Sequence, residues 1–388
     1  MRAPVYLDHL ATTPIDPRVL DAMLPYLRER FGHPGSRSHA YGWEAEQAVE
    51  AARARVADLV GADPKEVVFT SGGTEADTLA VQGVVAAAGA RGRHVVTTVV
   101  EQRSVRDTVR ALVGRGRAEA TEVACDAAGR VAAEAVEAAI RPDTVLVCCQ
   151  AANAEVGTCQ PVAEVGARCL ARGVPLHVDA RHALGHVALD LRRDGAATLS
   201  LAAHLLGGPK GAGALVARRK DPRVRVEPLL LGGGQERGLR AGTPDVAALV
   251  GFGVAAELVR RERDAEAARV AALRDRLEGA VLARVSGVAR HGDVGRRLPG
   301  ATSLAFEGVE AEALLMGMPD VAAATGAGCA SASLEPSYVL RAMGVPDADA
   351  NRTVRFSLGR TTTEEDVDLV VARVAATVER LRAMATPR

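Results

Sequence analysis

One cysteine near the carboxyl-terminal end of the chain lies in a run of very small residues. Cys329 is part of the segment 326–333, whose other members are glycine, alanine and serine. A structural cysteine normally has bulky apolar neighbours, because it packs as a small apolar residue. A reactive thiol instead needs an accessible position where its thiolate can form. The composition of this segment therefore favours a reactive thiol over a structural one.

Two motifs follow predicted strands and could hold a charged ligand. The residues from Thr70 to Glu75, TSGGTE, come directly before a helical pattern, and the backbone amides of such a turn favour an anion. Asp179 ends the run His177-Val-Asp, where a carboxylate could pair with a protonated ring nitrogen. Each motif also has a simpler interpretation, a plain turn in the first case and a helix-capping aspartate in the second.

Two further segments are rich in glycine, and the sequence predicts a strand end that runs into a turn for the first and an exposed loop for the second. The segment 200–211 contains His204 and Leu205, and the segment 232–243 reads GGGQERGLRAGT. Functional residues are concentrated in such exposed connections between rigid elements. We therefore expect both segments to border the same site as the two strand-end motifs.

The elements that must position these loops alternate regularly between about residues 44 and 220. Helical patterns there are separated by short apolar runs, which are residues 67–70, 94–99, 144–149, 175–179 and 213–216. This alternation predicts an α/β fold with a mostly parallel sheet and helices on its faces. Ligands of such sheets bind beyond the carboxyl ends of the strands, which is where the motifs are expected to meet.

The carboxyl-terminal part has a different order of elements. A long, charged, amphipathic stretch at about 252–283 leads into a strand–helix–strand–helix pattern, which predicts a smaller α+β domain. Thr362 and Glu365 have the spacing of a capping box for the last helix. The predicted units are an amino-terminal arm (1–15), a large α/β domain (16–261) and a small α+β domain (262–388) that carries the Cys329 loop.

Composition and charge exclude several classes of protein. The formal net charge is zero, so no overall field attracts nucleic acid or an acidic membrane. No run of eighteen apolar residues predicts a membrane span, and no secretory signal is evident. None of the six cysteines has C-x-x-C spacing, which predicts reduced thiols in a cytoplasmic protein.

Read together, the motifs resemble the cysteine desulfurases of iron–sulfur assembly, nearly from end to end. The segments that carry this resemblance are 6–14, 36–39, 70–75, 177–180, 207–211, 232–243, 329–344 and 354–365. The resemblance implies a fold-type I, class-V aminotransferase-like α/β fold with a mostly parallel, seven-stranded sheet. It also implies a homodimer, with pyridoxal phosphate bound at the interface between domains and subunits.

Several positions match the residues that this family uses. By resemblance, Thr74 and His204 contact the cofactor phosphate, and Thr243 does so from the neighbouring subunit. Asp179 matches the partner of the pyridinium nitrogen, and Arg355 matches the group that holds the substrate carboxylate. Cys329 matches the mobile cysteine that accepts sulfur as a persulfide and delivers it to an acceptor protein.

Other positions depart from the family, and the departures cluster around the cofactor. Leu205 stands where the family has the lysine that forms a Schiff base with the cofactor and moves the Cα proton. A leucine side chain does neither, and losing a general base costs about 10²–10⁴-fold in rate. The further departures are Gln102 for a histidine, Ala154 for an asparagine, His182 for a glutamine, Ala202 for a serine, His33 for an asparagine near the substrate carboxylate, and Gln235 for a histidine.

These departures predict a pseudoenzyme that has lost standard desulfuration and binds no cofactor, although it still passes sulfur or binds a partner through Cys329. Such a protein would pair with itself or with an active paralogue. A first alternative is an enzyme that binds pyridoxal phosphate without a covalent link, through phosphate contacts at Thr74, His204 and Thr243 together with Asp179. Lys210, in its Gly-Pro-Lys-Gly turn, is a poor substitute amine. A second alternative is a remodelled pocket in which His33, His182 and His204 activate Cys329 or bind a metal, although solvated histidines without a metal are the simpler interpretation.

Overall fold

The computed structural model describes residues 3–325 and 335–385, so Cys329 and its immediate neighbours lie outside the described residues. The eleven helices of this part are α1 (Pro17–Arg28), α2 (Ala40–Leu59), α3 (Gly73–Ala88), α4 (Arg103–Gly114), α5 (Ala133–Ala138), α6 (Val162–Ala171), α7 (Val246–Arg284), α8 (Ala311–Met316), α9 (Tyr338–Ala342), α10 (Asp347–Ala350) and α11 (Glu364–Ala385). Its thirteen strands are β1 (Val5–Tyr6), β2 (Val67–Thr70), β3 (His94–Thr98), β4 (Glu119–Val123), β5 (Thr144–Cys148), β6 (Leu176–Asp179), β7 (Thr198–Ala202), β8 (Gly213–Ala217), β9 (Val288–His291), β10 (Ala301–Phe306), β11 (Val321–Ala322), β12 (Ala324–Thr325) and β13 (Thr353–Ser357).

A seven-stranded sheet forms the centre of the molecule, in the order β2-β8-β7-β6-β5-β3-β4. The pairs from β4 to β7 are parallel, and β8 pairs antiparallel with both of its neighbours. The predicted α/β fold with a mostly parallel sheet is therefore confirmed. The parallel strands end at one edge, and this edge holds the loops that carry the candidate site.

Helices cover both faces of this sheet. Along β2, Val67 and Phe69 pack in one apolar cluster with α2 and the first half of α7. The residue between them, Val68, packs on the opposite face with α3. Successive side chains of a strand point to opposite faces, so a continuously apolar strand predicts a sheet that is covered on both sides.

The helix α7 spans two apolar cores. Its first turns pack against the large sheet, whereas Val270, Leu273 and Leu277 belong to a second core with α11. That core is built on a four-stranded antiparallel sheet, in the order β12-β13-β10-β9. The predicted boundary at 261/262 falls inside α7 and stays a prediction.

The amino-terminal arm contacts both parts of the chain. Its strand β1 pairs in parallel with β11, and Asp8 bridges to Ser357. Farther along the arm, the backbone N–H and the hydroxyl of Thr13 both donate to the His204 carbonyl, at 3.0 and 2.7 Å. The arm thereby fixes the turn that contains Leu205.

Two local predictions differ from the structure. The last helix has a capping box one residue later than predicted, because Thr363 and Asp366 exchange the backbone-to-side-chain hydrogen bonds, while the Thr362 hydroxyl accepts from the Gly359 backbone. The edge strand β4 was not predicted, since its sequence EATEV is mostly polar. Within the described helices, none is long and apolar enough to cross a membrane.

Candidate functional site

Five polar residues form a connected network at the carboxyl ends of the parallel strands, which we name the pocket floor: Asp77, Ser104, His177, Asp179 and Arg181. The Arg181 side chain donates to Asp179 Oδ1 at 2.9 Å and to the Ser104 hydroxyl at 2.6 Å, and it also pairs with Asp77. Asp77 accepts from Ser104 at 2.6 Å and lies 3.1 Å from His177 Nε2. Asp77, His177 and Asp179 are almost completely buried. The network therefore pairs buried charges and is part of the packed interior.

One oxygen of the pocket floor remains available to a ligand. Asp179 Oδ2 is enclosed and has no hydrogen-bond partner among the described residues, although Oδ1 accepts from Arg181. Burial raises the pKa of the Asp179 carboxyl to about 7, and hydrogen bonds from Arg181 and Ser200 act in the opposite direction. An orphaned, buried carboxylate oxygen is costly, and a protonated ring nitrogen is a group that would satisfy it.

The first turn of α3 offers backbone donors close to this floor. Gly72 precedes the helix with no side-chain cap, so the first N–H groups and the helix dipole favour an anion. Thr74 lies exposed in this turn. A Cβ atom at Gly73 would lie 3.0 Å from Arg181 Nε, so the first turn of α3 packs closely against the Arg181 side chain.

His204 and Leu205 lie together in a short 3-10 turn that follows β7. His204 Nδ1 is 3.2 Å from the Thr12 hydroxyl. Burial, followed by the charges of Lys210 and Arg181, lowers the pKa of His204. Leu205 is buried beside it and has no nitrogen that could form a carbon–nitrogen double bond. Ala202, at the end of β7, is also buried and contributes no polar group.

Three titratable residues form a second cluster, which we name the substrate end: Glu155, His182 and Arg355. Arg355 donates to the Ala154 carbonyl at 2.9 Å and pairs with Asp8 Oδ1 at 2.5 Å. Its Nε has no partner within the described part of the chain. Burial raises the pKa of Glu155 to about 7, while Ser337 and the Arg355 charge act against it.

Residues of the substrate end border a small cavity. Its volume is about 50 Å³, and it is lined in part by Gln102, Ala154, Glu155 and Arg355. Tyr338, which follows the undescribed segment, lines the same cavity and donates its hydroxyl to the Glu101 carbonyl at 2.6 Å. The structure therefore brings Gln102, Ala154 and Arg355 to one cavity, and their roles stay predictions.

His182 lies three residues after Asp179, and its Nδ1 is enclosed with no hydrogen-bond partner among the residues described. Burial is the main cause that holds the pKa of His182 well below its usual value, followed by the charges of Arg181, Arg355 and His204. A hydrogen bond to the Leu10 backbone acts in the opposite direction. The side chain is therefore neutral at neutral pH.

Other predicted site residues lie elsewhere. His33 is exposed, accepts from the Gly35 backbone at 2.9 Å and lines a separate cavity of about 590 Å³ with Gln235. Thr243 is exposed after the glycine-rich loop, and Lys210 is exposed after the Leu205 turn. Cys329 lies outside the described residues. Within residues 3–325 and 335–385, no three metal-binding side chains are arranged to hold an ion.

The sequence predictions missed Arg181, Asp77 and Glu155. Arg181 could have been noticed as a basic residue two positions after the strand-end aspartate, in the run HVDARH. Its partner Asp77 is buried in α3, a contact that no local pattern indicates. Glu155 follows Ala154 in a loop whose burial becomes apparent only in the folded chain.

Comparisons with known proteins give a consistent result. The Aminotransferase class-V family model matches residues 5–370. "Cysteine desulfurase IscS" of Anaeromyxobacter dehalogenans is 48% identical over 99% of this chain and 95% of its own length. The human "Cysteine desulfurase" is 46% identical over 98% of this chain and 83% of its own. A solved "NifS-like protein" superposes with a TM-score of 0.90 at 33% identity, and covers 97% of this chain and 100% of its own.

These similarities contradict the predictions that were drawn from Leu205. From that position we expected a pseudoenzyme, which is not a standard desulfurase and binds no cofactor. The relatives that match almost the whole chain at 46–48% identity are cysteine desulfurases, so these expectations are wrong. One substituted position and its neighbours do not outweigh that match, and Asp179 and the α3 amino terminus still fit the ring nitrogen and phosphate of pyridoxal phosphate.

Proposed function

This chain belongs to the class-V aminotransferase family, and from that membership we propose that it is a pyridoxal-phosphate-dependent cysteine desulfurase, which removes sulfur from L-cysteine and leaves L-alanine. The observation that carries the proposal is identity of 46–48% with cysteine desulfurases over nearly the whole chain. Asp179 Oδ2 in the pocket floor supports the proposal independently, because this buried oxygen has no partner among the described residues and could bind a cationic ring nitrogen.

In this proposal some residues of the pocket bind the cofactor and others bind the substrate. Asp179 keeps the ring nitrogen protonated, while Thr74, His204 and the first turn of α3 bind the phosphate. Arg355 binds the substrate carboxylate at the other end, since its enclosed Nε still lacks an acceptor in the described structure. Bound pyridoxal phosphate supplies a sink for the electron pair that is left on the substrate Cα.

We place the sulfur transfer at Cys329. Its thiolate attacks the substrate sulfur, the carbon–sulfur bond breaks, and a persulfide forms on Cys329 while the carbon skeleton takes up a proton and leaves as alanine. Sulfur is neither oxidised nor reduced by an external reagent in this exchange. A thiol-bearing acceptor protein then takes the outer sulfur by thiol exchange. The described cysteines are all free thiols, which supports a reducing compartment such as the cytoplasm.

The proposed assembly is a homodimer that covers an apolar surface beside the first two helices. Leu20, Leu24 and Leu27 of α1 are exposed at 40%, 42% and 59%, a spacing that aligns them on one helix face. Phe31 stacks on Tyr41 in the first turn of α2, with ring centroids 5.4 Å apart, and both rings are exposed. A second copy is the natural cover for such a surface, and it would supply Thr243 to the neighbouring phosphate site.

The activity is tested with the purified full chain, pyridoxal phosphate and L-cysteine. Alanine is measured directly, and sulfide is measured after a thiol reductant is added. We expect equal amounts of both, and loss of sulfide release in Cys329→Ala but not in Cys125→Ala, a matched control on a half-buried cysteine. Absence of alanine with saturating cofactor would overturn the proposed function.

The assembly is tested separately by light scattering. We expect the mass of a dimer for the wild type and of a monomer for Leu24→Glu, because a carboxylate in an apolar interface is strongly unfavourable. Val294→Glu, at an exposed site on the loop after β9, is the control and should stay dimeric. A wild-type monomer at micromolar concentration would reject the assembly and leave the activity proposal standing.

A further inference from the structure

We propose that Glu155 is a specificity-determining residue of the substrate end, whose carboxyl group donates a hydrogen bond to the substrate carboxylate beside Arg355. This inference rests on the proposed function, because it names a second contact for the substrate of that same reaction. The ligand class that follows is a small α-amino acid, or another small carboxylic acid in its ionised form. Recognition of that carboxylate then depends on one proton that the chain itself carries.

A shared peptide group brings Arg355 next to Glu155. Arg355 Nη1 donates to the Ala154 carbonyl oxygen at 2.9 Å, and this carbonyl belongs to the peptide bond that joins Ala154 to Glu155. Asn153 fixes the same turn, since its side-chain oxygen accepts from the backbone N–H groups of Glu155 and Val156 at 2.8 and 3.0 Å. The guanidinium is therefore held against the backbone of Glu155, and both residues line one cavity.

Each of the two side chains has one enclosed polar atom without a partner. Glu155 and Arg355 are 8% and 6% exposed, and Glu155 Oε1 and Arg355 Nε have no hydrogen-bond partner among residues 3–325 and 335–385. The other guanidinium nitrogens are in use, because Nη1 bonds the Ala154 carbonyl and Nη2 pairs with Asp8 at 2.5 Å. Enclosed polar groups are rarely left unpaired. A ligand carboxylate satisfies both atoms, since one oxygen accepts from Nε and the other from a protonated Glu155.

The cavity has the size of one small polar group. Its volume is about 50 Å³, and a water molecule needs about 10–15 Å³ of such space. The cavity therefore holds about three to five non-hydrogen atoms, which suits a carboxylate and excludes an aromatic ring. The other titratable residues on its lining are Arg103, Glu335 and Tyr338. Arg103 and Glu335 are exposed, so Glu155 and Arg355 are the buried acid and the buried cation among the described lining residues.

Burial keeps the Glu155 carboxyl in the form that donates a hydrogen bond. It raises the pKa of Glu155 to about 7. The groups that act in the opposite direction are Ser337 at the start of α9, Arg355 of β13 and Arg103 of α4. Below that pH the neutral carboxyl donates to an anion. Above it, an ionised Glu155 would face a guanidinium that Asp8 already pairs, so a further carboxylate would be repelled.

Two other polar side chains on the cavity are poorer candidates. The Ser337 oxygen accepts from the Val339 and Leu340 backbone at 3.1 Å each, so it caps α9. Gln102 is half-buried and reaches water. Neither has an enclosed polar atom that lacks a partner in the described part of the chain. Glu155 is therefore the residue on this wall that needs a ligand to satisfy it.

The first experiment compares KM at several pH values. The full chain, loaded with pyridoxal phosphate, is assayed for alanine formation from L-cysteine as wild type and as Glu155→Gln, so that titration of cysteine itself cancels in the ratio of KM values. The glutamine amide donates at every pH, so we expect the two KM values to agree within about two-fold at pH 6. At pH 8.5 the wild-type KM should be about 10- to 30-fold higher, because each pH unit above the pKa leaves about ten-fold fewer protonated molecules. The kcat values should change little.

Two further variants give the matched controls. Glu335→Gln makes the same change at an exposed acid on the same cavity, and its KM should follow the wild type at every pH. Glu155→Ala removes the donor, so its KM should rise at pH 6 by about ten-fold or more, since the lost hydrogen bond is to a charged group. A KM ratio of wild type to Glu155→Gln that is the same at pH 6 and pH 8.5 would overturn the proposal.

The second experiment measures the proton directly. Binding of β-mercaptopropionate, which has the carboxylate and the thiol of cysteine but no amine, is followed by calorimetry at pH 8 in two buffers with different heats of ionisation. We expect the wild type to take up close to one proton for each ligand bound, and Glu155→Gln to take up none. Absence of proton uptake, or of binding to a chain that has bound the cofactor, would overturn the role of Glu155.

The two experiments separate this inference from the proposed function. Proton-linked binding that depends on Glu155, without alanine formation from cysteine, would reject the proposed function alone. Alanine formation with a KM ratio that does not change with pH would reject the role of Glu155 alone. The absence of both would reject both.

Discussion

The pocket floor and the substrate end contain similar residue types but differ in how far these residues are paired. In the floor, Arg181, Asp77, Ser104 and His177 satisfy one another through hydrogen bonds, and among the described atoms of the floor it is Asp179 Oδ2 that lacks a partner. At the substrate end, His182 Nδ1, Arg355 Nε and Glu155 Oε1 are enclosed and lack partners in the described structure. The difference indicates that the floor holds the loop in place, while the substrate end is shaped for groups that the chain does not itself supply.

The largest expected effect comes from breaking the pocket floor. Arg181→Ala leaves Asp77 and Asp179 buried without their cation, and losing one partner of a buried pair costs about 3–5 kcal/mol. We expect the free energy of unfolding, from urea denaturation, to fall by about that amount. Arg276→Ala removes exposed pairs with Glu364 and Asp368 and should leave the free energy of unfolding almost unchanged, because exposed ion pairs are screened by water and salt. Equal losses in the two variants would contradict the role given to the floor.

A substitution at the substrate end should act on the reaction more than on the fold. Arg355→Met removes the proposed carboxylate contact, and a hydrogen bond to a charged group contributes about 1.5–3 kcal/mol. We expect kcat/KM for L-cysteine to fall by about 10- to 100-fold, mainly through KM. Arg373→Met, which removes an exposed pair with Asp320, serves as the control. An unchanged KM in Arg355→Met would remove this residue from substrate binding.

The pH dependence of the free energy of unfolding should reveal the titration of Glu155, the unpaired carboxyl at the substrate end. Burial raises the pKa of Glu155 to about 7, above its usual value, so the folded chain binds more protons than the unfolded chain between these values. Stability should therefore fall as pH rises from about 4.5 to 7. The difference in free energy of unfolding between Glu155→Gln and the wild type should shift by about 2 kcal/mol in favour of the variant from pH 5 to pH 8. Each pKa unit corresponds to about 1.4 kcal/mol.

The control for that titration is Glu164→Gln, since the Glu164 side chain is exposed at 60%. Unfolding in urea is measured at each pH for the wild type and both variants. If the difference in free energy of unfolding between Glu155→Gln and the wild type does not change with pH, Glu155 has the same pKa in the folded and the unfolded chain, which contradicts the prediction.

The smallest expected effect concerns the phosphate site. Thr74→Val removes one neutral hydroxyl, and a hydrogen bond of this kind contributes about 1 kcal/mol. We expect the dissociation constant of pyridoxal phosphate, measured by fluorescence, to rise about five-fold. Thr78→Val lies one turn later in α3, where its hydroxyl bonds the Thr74 carbonyl, and should bind the cofactor as the wild type does. A five-fold effect in Thr78→Val instead would place the phosphate elsewhere.

The sequence could predict the elements that have a clear local apolar pattern. Buried strands such as β2 and β6 are continuous apolar runs, and their ends mark the loops of the site, so the α/β fold and Asp179 follow from local patterns. The start of α7 was placed too late because Val246–Gly253 is buried all round and shows no amphipathic period. The polar edge strand β4 has no apolar run at all.

The predictions about function failed for a different reason. Leu205 has a definite chemical consequence at one position, but whether another group replaces the lost amine depends on distances between residues that are far apart in sequence. Arg181 pairs with Asp77, and the charge of Arg355 acts on His182, only in the folded chain. The resemblance located the site, while the pairing of its charges required the structure.

The most direct test of the account is a single turnover of the full chain with pyridoxal phosphate and L-cysteine, followed by mass spectrometry. The account predicts one alanine for each added sulfur atom, with that sulfur on the peptide that contains Cys329. Unchanged cysteine, with no added sulfur on any peptide of a chain that has bound the cofactor, would contradict it.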